Sequence, residues 1–241
     1  MIKTENLTKE FGDLIAVNDL SLDIKEGEFF AFLGPNAAGK TTTIKLLTGL
    51  LAPTKGRAYI CGYDMQTNYI EAKRLISYIP DFPYLYEKLT AREFLNFVCE
   101  LYSRQDMKKQ QEEISELLSV FGLEEHQHNL VEQYSHGMRQ KLVFAASLIH
   151  DPRVMIIDEP MVGLDPHSSR VVKDILKKKS KDGVTIFLST HTLSVAEELA
   201  DRIAIIDHGK LLAVGTQAEL ERSSGAKGKL EDIFLRLTEE E

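Results

Sequence analysis

Cysteine is scarce: Cys61 and Cys99 are the only two in the chain, and they stand far apart in no metal-ligand spacing. Neither a disulfide framework nor a zinc site follows from them, and a reducing, cytosolic compartment is the simplest reading. No apolar run approaches the roughly 18 to 20 residues of a membrane-spanning helix, and Met1-Ile2-Lys3-Thr4-Glu5 opens without a signal-peptide pattern. The chain itself is therefore not expected to cross a membrane. Positive charge is also short: 29 Lys and Arg against 37 Asp and Glu give a formal charge of -8. No broad basic field exists for nucleic acid, and Lys177-Lys178-Lys179 reads as a solvated helix end. Internal repeats are missing. What remains is 241 residues, 43% hydrophobic and 27% charged, which suits one domain spanning 1–241 with an inserted subdomain.

The most informative stretch present is Gly34-Pro35-Asn36-Ala37-Ala38-Gly39-Lys40-Thr41, followed by Thr42. It matches the phosphate-binding loop in which two glycines, a lysine and a hydroxyl residue stand at fixed spacing. Backbone N–H groups of such a loop wrap phosphates, Lys40 neutralises charge, and Thr41 offers an oxygen to Mg²⁺. The apolar run Phe29 to Leu33 before it has strand length, and Thr42 to Gly49 after it reads as a helix ending at glycine. Strand, loop, helix is the order a nucleoside triphosphate site needs.

Leu20, Leu22 and Ile24 alternate with polar residues, and Ala58 to Cys61 follows an expected turn at Lys55-Gly56, so the first eighty residues read as β-rich with antiparallel strands. Past Pro83 the period changes. Thr90-Ala91-Arg92-Glu93 is a capping box leading into Phe94, Phe97, Val98 and Leu101, and a second helix carries Ile114, Leu117, Leu118 and Phe121 up to Gly122. Three apolar strands follow, at Val154 to Ile157, Thr185 to Leu188 and Ile203 to Ile206, separated by helices around 171–179 and 193–199. Strands of this kind suit a parallel sheet buried on both faces. Thr216 to Glu219 caps a further helix, Ser223-Ser224-Gly225-Ala226 reads as a flexible break, and Leu230, Ile233, Phe234 and Leu237 mark an amphipathic last helix. The expected fold class is α/β. Its core, at 1–81 and 150–215, holds a mixed, mainly parallel sheet and an N-terminal antiparallel β subdomain. A helical subdomain is inserted at 82–149, and a helical tail covers 216–241.

Val154 to Pro160 places Asp158 and Glu159 at the C-terminal end of a buried strand, where ligands of open α/β sheets gather. Asp158 would hold Mg²⁺, and Glu159 would orient and polarise a water attacking the γ-phosphate. Tyr134-Ser135-His136-Gly137-Met138-Arg139-Gln140 adds a serine and a glycine directly before a helix, a pattern that resembles the signature motif of the ATP-binding cassette (ABC) ATPases. Other elements of that family stand in the expected order: Phe11 ahead of the first strands, Gly163-Leu164-Asp165-Pro166 after the carboxylates, and Ser189-Thr190-His191 closing a strand.

The resemblance covers essentially the whole chain. It implies an ATPase with ATP and Mg²⁺ as cofactors, acting as a head-to-tail dimer in which the phosphate loop of one copy meets Ser135, His136 and Gly137 of the other. The physics of a signature helix agrees, because the Ser135 hydroxyl, the Gly137 N–H and the positive end of the helix dipole make an anion site. Phe11 would then stack on adenine, His191 would contact the γ-phosphate and hold Glu159 and the water in line, and Asp165 would couple the two sites.

Three positions depart from the commonest motif forms. Ala37 replaces a glycine and must adopt whatever angles the loop imposes. His136 replaces a glycine and either faces solvent or adds a titrating group near the partner's nucleotide, while Tyr134 replaces a leucine. Asp81, in Ile79-Pro80-Asp81-Phe82-Pro83, stands where a glutamine links ATP site and helical subdomain; a carboxylate facing triphosphate calls for a cation between them, so Asp81 is assigned as a metal ligand beside Thr41 and Asp158.

In function, the resemblance implies the nucleotide-binding subunit of an ABC transporter. It would sit peripherally on the inner face of the membrane through a separate permease received near Phe82, Tyr84, Leu85 and Tyr86. The segment Leu230 to Thr238 resembles the tail of ATPases paired with ABC-2 type permeases, often exporters. The competing class is a soluble ABC ATPase working as an ATP-gated clamp on nucleic acid, the ribosome or an assembly complex. It is disfavoured by the lack of a coiled-coil insertion, a tandem second cassette or a basic groove. A module that has lost hydrolysis is disfavoured by the presence of Lys40, Asp158, Glu159 and His191.

Overall fold

The computed structural model describes residues 1–102, 106–225 and 229–239. Two sheets organise it. The first is antiparallel, built from β1 (Ile2–Phe11), β2 (Leu14–Ile24), β4 (Lys55–Ile60) and β5 (Tyr63–Asp64) in the order β2-β1-β4-β5. The second contains β3 (Phe29–Leu33), β6 (Ile76–Ile79), β7 (Val154–Asp158), β8 (Thr185–Thr190), β9 (Arg202–Asp207) and β10 (Lys210–Gly215), in the order β10-β9-β3-β8-β7-β6. All its neighbours run parallel except β10, which returns antiparallel beside β9.

The apolar runs are continuous because both faces of this sheet are covered. Along β3, Phe30 and Phe32 point into a core shared with the antiparallel sheet, Phe29 joins the core under the inserted helices, and Ala31 and Leu33 meet the C-terminal helices. Strand β7 divides likewise, with Val154 and Ile156 on one side and Met155 and Ile157 on the other. Helix α1 (Lys40–Leu47) leaves the end of β3 and buries Ile44, Leu46 and Leu47 between the sheets. A short α2 (Tyr69–Arg74) precedes β6.

Between β6 and β7 lie α3 (Ala91–Leu101), α4 (Met107–Val120) and α5 (His136–Leu148). The capping box at Thr90 and Glu93 forms in both directions, so α3 starts where the pattern says. Tyr134, expected as a mere substitution, is 5% exposed and its hydroxyl donates to the His126 carbonyl at 2.8 Å. It anchors the approach to α5 by burying a ring and pairing its polar tip. Helices α6 (Pro166–Lys181) and α7 (Leu193–Leu199) follow β7 and β8, and α8 (Gln217–Ser224) and α9 (Leu230–Glu239) close the described chain against Ala31, Leu33, Ile203 and Ile205.

Two local expectations need correction. Lys55-Gly56 is not a turn but the start of β4. Gly56 has φ +78°, and a Cβ there would lie 2.2 Å from the Asn6 carbonyl oxygen, so glycine marks the close approach of β1. Ser223 and Ser224 are not a break either: they end α8, with hydroxyls donating back to Leu220 and Glu221, and Gly225 caps the helix at φ +65°. Ala226 lies outside the described residues.

Candidate active site

A cavity of about 690 Å³ opens at the C-terminal ends of the parallel strands, where the β3–α1 loop, the tip of the β1–β2 hairpin and the ends of β7 and β8 converge. Each part is local sequence made concrete. Residues 34 to 39 leave β3 and turn into α1 because two glycines permit it. A Cβ on Gly34 would come 2.4 Å from the Ile206 carbonyl oxygen, and Gly39, at φ +105°, would place one 2.4 Å from the Ala16 carbonyl oxygen. No other residue fits either approach.

The angle the loop imposes on Ala37 is φ +65°, a region its side chain disfavours. Ala37→Gly is expected to tighten ATP binding or speed turnover by up to about fivefold, the equivalent of ~1 kcal/mol of relieved strain. ATP titration and steady-state rates check it, and no change in either means the loop accommodates the methyl freely.

Lys40 is 8% exposed, and its ammonium donates to the Gly34 and Pro35 carbonyls at 2.7 and 2.9 Å. Burial pulls its pKa below the ordinary lysine value, and the charges of Glu159 and Asp158 oppose that pull. Thr41 Oγ1 donates to Asp158 Oδ2 at 3.2 Å. Burial pushes the Asp158 carboxyl above the usual range, and charges on Glu159 and Asp81 push the same way. Asp81, Asp158 and Glu159 thus share the cavity wall with Thr41, and the buried Asp158 favours a counter-cation.

Glu159 follows β7 with φ +47°, an unusual backbone for a non-glycine residue. Its Oε1 accepts from the His191 amide at 2.9 Å and from His191 Nδ1 at 2.7 Å, and its Oε2 accepts from Thr190 Oγ1 at 3.0 Å. A carboxylate only accepts, so Nδ1 carries the proton of this bond. His191 is exposed at the cavity wall.

Phe11, 47% exposed, projects from the β1–β2 hairpin, and Lys9 Nζ lies 5.1 Å from its ring centre. The two-residue loop Gly12-Asp13 pairs Phe11 with Leu14, which puts Leu14 and Ile15 on the same rim. Asn36, Ala37, Gly39, Thr41, Thr42 and Asp81 also face the cavity. Gly34, Pro35 and Ala38 do not: the first two present carbonyls to Lys40, and Ala38 is 2% exposed.

Sequence reasoning missed Leu14, Ile15, Ala16, Val162, His208 and Gly209 in the lining. The last two form a two-residue turn between β9 and β10 with both φ positive, a hairpin signal that His-Gly between two apolar runs carries.

Ser135, His136, Gly137 and Asp165 lie outside this cavity. Ser135 caps α5, accepting from the Met138 amide at 3.3 Å. Asp165 caps α6, where the Ser168 hydroxyl and amide hold its carboxyl down to about 2. His136, expected either to face solvent or to add a titrating group, is exposed but rests on Gly163, where a Cβ would fall 2.1 Å from its ring. Among the described residues no group of three or more His, Cys, Asp or Glu forms a protein-only metal cage.

A phosphate loop at the end of β3, two carboxylates at the end of β7, two strands along the same sheet, and a histidine after the intervening β8 bound to one of them define a nucleoside triphosphatase of the phosphate-loop class. The family is more specific. Residues 17–162 match the family model described as ABC transporter. The linearmycin resistance ATP-binding protein of Bacillus subtilis is 36% identical over 240 residues, covering 99% of this chain and 75% of that protein. A solved ATP-binding subunit of an ABC transporter superimposes with a TM-score of 0.94 at 31% identity, covering 99% of each chain. A dimeric ATP-binding cassette captured after hydrolysis with ADP and phosphate gives 0.83 at 27% identity, over 90% of this chain and 98% of that one. The chain belongs to the ABC transporter family, as an ATP-binding subunit that hydrolyses ATP. Among the described residues no helix is long and apolar enough to cross a membrane.

Proposed function

We propose that this chain powers export through a separate ABC-2 type permease, working as a head-to-tail dimer on the inner face of the membrane. The observation that carries the dimer is the split between the cavity and the start of α5. Phosphate loop, Asp158, Glu159 and His191 share one cavity, while Ser135 and Gly137 lie outside it at the start of a helix whose first N–H groups suit an anion. A second copy would bring that end, with Asp165, onto the first copy's nucleotide. Dimeric relatives support this, and the resistance function named for the Bacillus protein supports export.

In that complex Phe11 stacks on the base, the amides of residues 36 to 42 and Lys40 hold the triphosphate, and Glu159, positioned by His191, takes the proton of the attacking water. Thr41, Asp158 and Asp81 supply hard oxygens that fit Mg²⁺, which would neutralise phosphate charge when bound. Asp81→Asn is expected to raise the Mg²⁺ concentration needed for half-maximal hydrolysis; an unaltered Mg²⁺ dependence makes Asp81 a loop residue only.

Residues 82–149 are assigned to a unit that moves on closure against the core at 1–81 and 150–215, with 216–241 as its tail. The permease would contact Phe82, Tyr84 and Tyr86, exposed by 65, 82 and 60%, beside Leu85, which packs into the core of the inserted helices. Affinity capture of the chain from detergent-solubilised native membranes with Mg-ATP tests the reading. A polytopic membrane protein in stoichiometric amount is expected. Recovery only from the soluble fraction with ribosomes, nucleic acid or an assembly factor overturns it in favour of the clamp.

A further inference from the structure

Three segments meet at His136. Its ring centre lies 6.1 Å from that of Phe82, inclined by 46°, on the segment after β6. On the other side it covers Gly163, in the loop after β7, so closely that a Cβ at Gly163 would sit 2.1 Å from Cδ2 and 2.5 Å from Nε2. One residue along, a Cβ on Gly137 would lie 3.1 Å from the Gly163 carbonyl oxygen, which seats the first turn of α5 on the same loop. Both flanking segments carry a carboxylate of the nucleotide cavity: Asp81 adjoins Phe82, and Glu159 stands four residues before Gly163. Met161 and Leu164 pack this loop against the core, while its own backbone hydrogen bonds are long. Val162 donates to the Glu159 carbonyl and Leu164 to that of Met161, both at 3.3 Å.

We propose that His136 is a positioning residue within its own subunit, a clasp whose ring joins Phe82 to Gly163 and so ties the setting of Glu159 to the segment expected to meet the permease. A glycine at position 136 would leave this gap open, so the histidine supplies a link by shape and packing. Chains of packed side chains between two segments carry coupling when removing one member changes the other end. Pressure on Phe82 would be transmitted through the ring to the loop that begins at Glu159. The kinetic half of this proposal rests on the assignment of Glu159 to turnover; the clasp itself does not.

The test uses the full chain without nucleotide for amide hydrogen exchange and with Mg-ATP for steady-state kinetics. In His136→Ala, exchange at the Val162 and Leu164 amides is expected to quicken by about fivefold or more, and kcat to fall by about tenfold while KM for ATP changes by less than about twofold. His136→Phe, which keeps a flat ring, restores most of both. Phe82→Ala loosens the same amides, and adding it to His136→Ala produces little further change because the two rings act as one unit. Unchanged loop exchange in His136→Ala overturns the clasp. A loosened loop with unaltered kcat, or an effect on KM alone, overturns its role in turnover, as does failure of His136→Phe to rescue. Retained hydrolysis in Glu159→Gln would mark the other failure, that of the catalytic assignment, and leave the exchange result standing.

Discussion

Glu159→Gln is expected to lower ATP turnover by about 10²–10⁴-fold while leaving ATP affinity within a few-fold of the parent. The argument is one of electronic character at constant shape. Both carboxylate oxygens of Glu159 accept hydrogen bonds, Oε1 from the His191 amide and Nδ1, and Oε2 from Thr190 Oγ1. Glutamine fills the same volume and keeps one accepting oxygen, which turns to His191, where two donors wait. Its amide nitrogen then faces Thr190 Oγ1, which already accepts from the Thr192 amide at 3.0 Å. The side chain stays in place with its basicity gone. The backbone is unaffected, since φ +47° is set by the turn after β7 and suits glutamine no worse. Single-turnover hydrolysis and equilibrium nucleotide binding read the two halves. His191→Ala should also be slow, and combining it with Glu159→Gln should add little, because groups that act as a unit are not additive. A loss of less than tenfold in Glu159→Gln would remove Glu159 from the role of base.

Why these residues were readable from the chain, and others at the same cavity were not, follows from how each is held. The phosphate loop and the Asp158-Glu159 pair are continuous segments attached to strands buried on both faces. The apolar runs Phe29 to Leu33 and Val154 to Ile157 announce the strands, and the chemistry sits at their ends. Leu14, Ile15, His208 and Gly209 reach the cavity only because two hairpins fold over it. No local spacing encodes that. The contact between Gly39, Ala16 and Gly209 that brings the hairpins there is backbone on backbone, which leaves glycines in the sequence but no partner names. Gly56 shows the opposite error. A glycine demanded by the neighbouring strand reads like a turn when only its own neighbours are visible. Short edge strands were also faint: β6 carries Ser77 and Tyr78 among four residues, and β10 is only partly covered. His136 was placed by its motif, but the ring's seat on Gly163 depends on a loop 27 positions away in sequence.

Lys40→Met should abolish productive ATP binding without unfolding the chain, and its stability signature separates it from ordinary core damage. The ammonium is 8% exposed, held by two carbonyls of its own loop, and its pKa lies below the ordinary lysine value because burial penalises the charge. The sign follows from linkage. At neutral pH both folded and unfolded chains carry the proton, and the folded one holds it less willingly, so the charge costs stability. As pH rises through the folded pKa toward 10.5 that cost is relieved, and stability from this group increases. An uncharged chain of similar length removes the cost at all pH values, but it takes the donor away from the buried Gly34 carbonyl and the half-buried Pro35 carbonyl. The two effects oppose each other, so the nucleotide-free melting temperature is expected to stay within a few degrees of the parent, about the shift of 1 kcal/mol. With ATP the balance tips toward the lysine, because triphosphate charge stabilises the ammonium and no other lysine lines the cavity among the described residues. Losing such a preorganised donor costs about 3–4 kcal/mol, or about 10²–10³ in turnover. Lys45→Ala, on the exposed face of the same helix, serves as the control that should change neither. A Lys40→Met protein that melts well below the parent without ATP would assign the lysine to structure, and one that still gains thermal stability from ATP would show that the loop amides alone hold the phosphates.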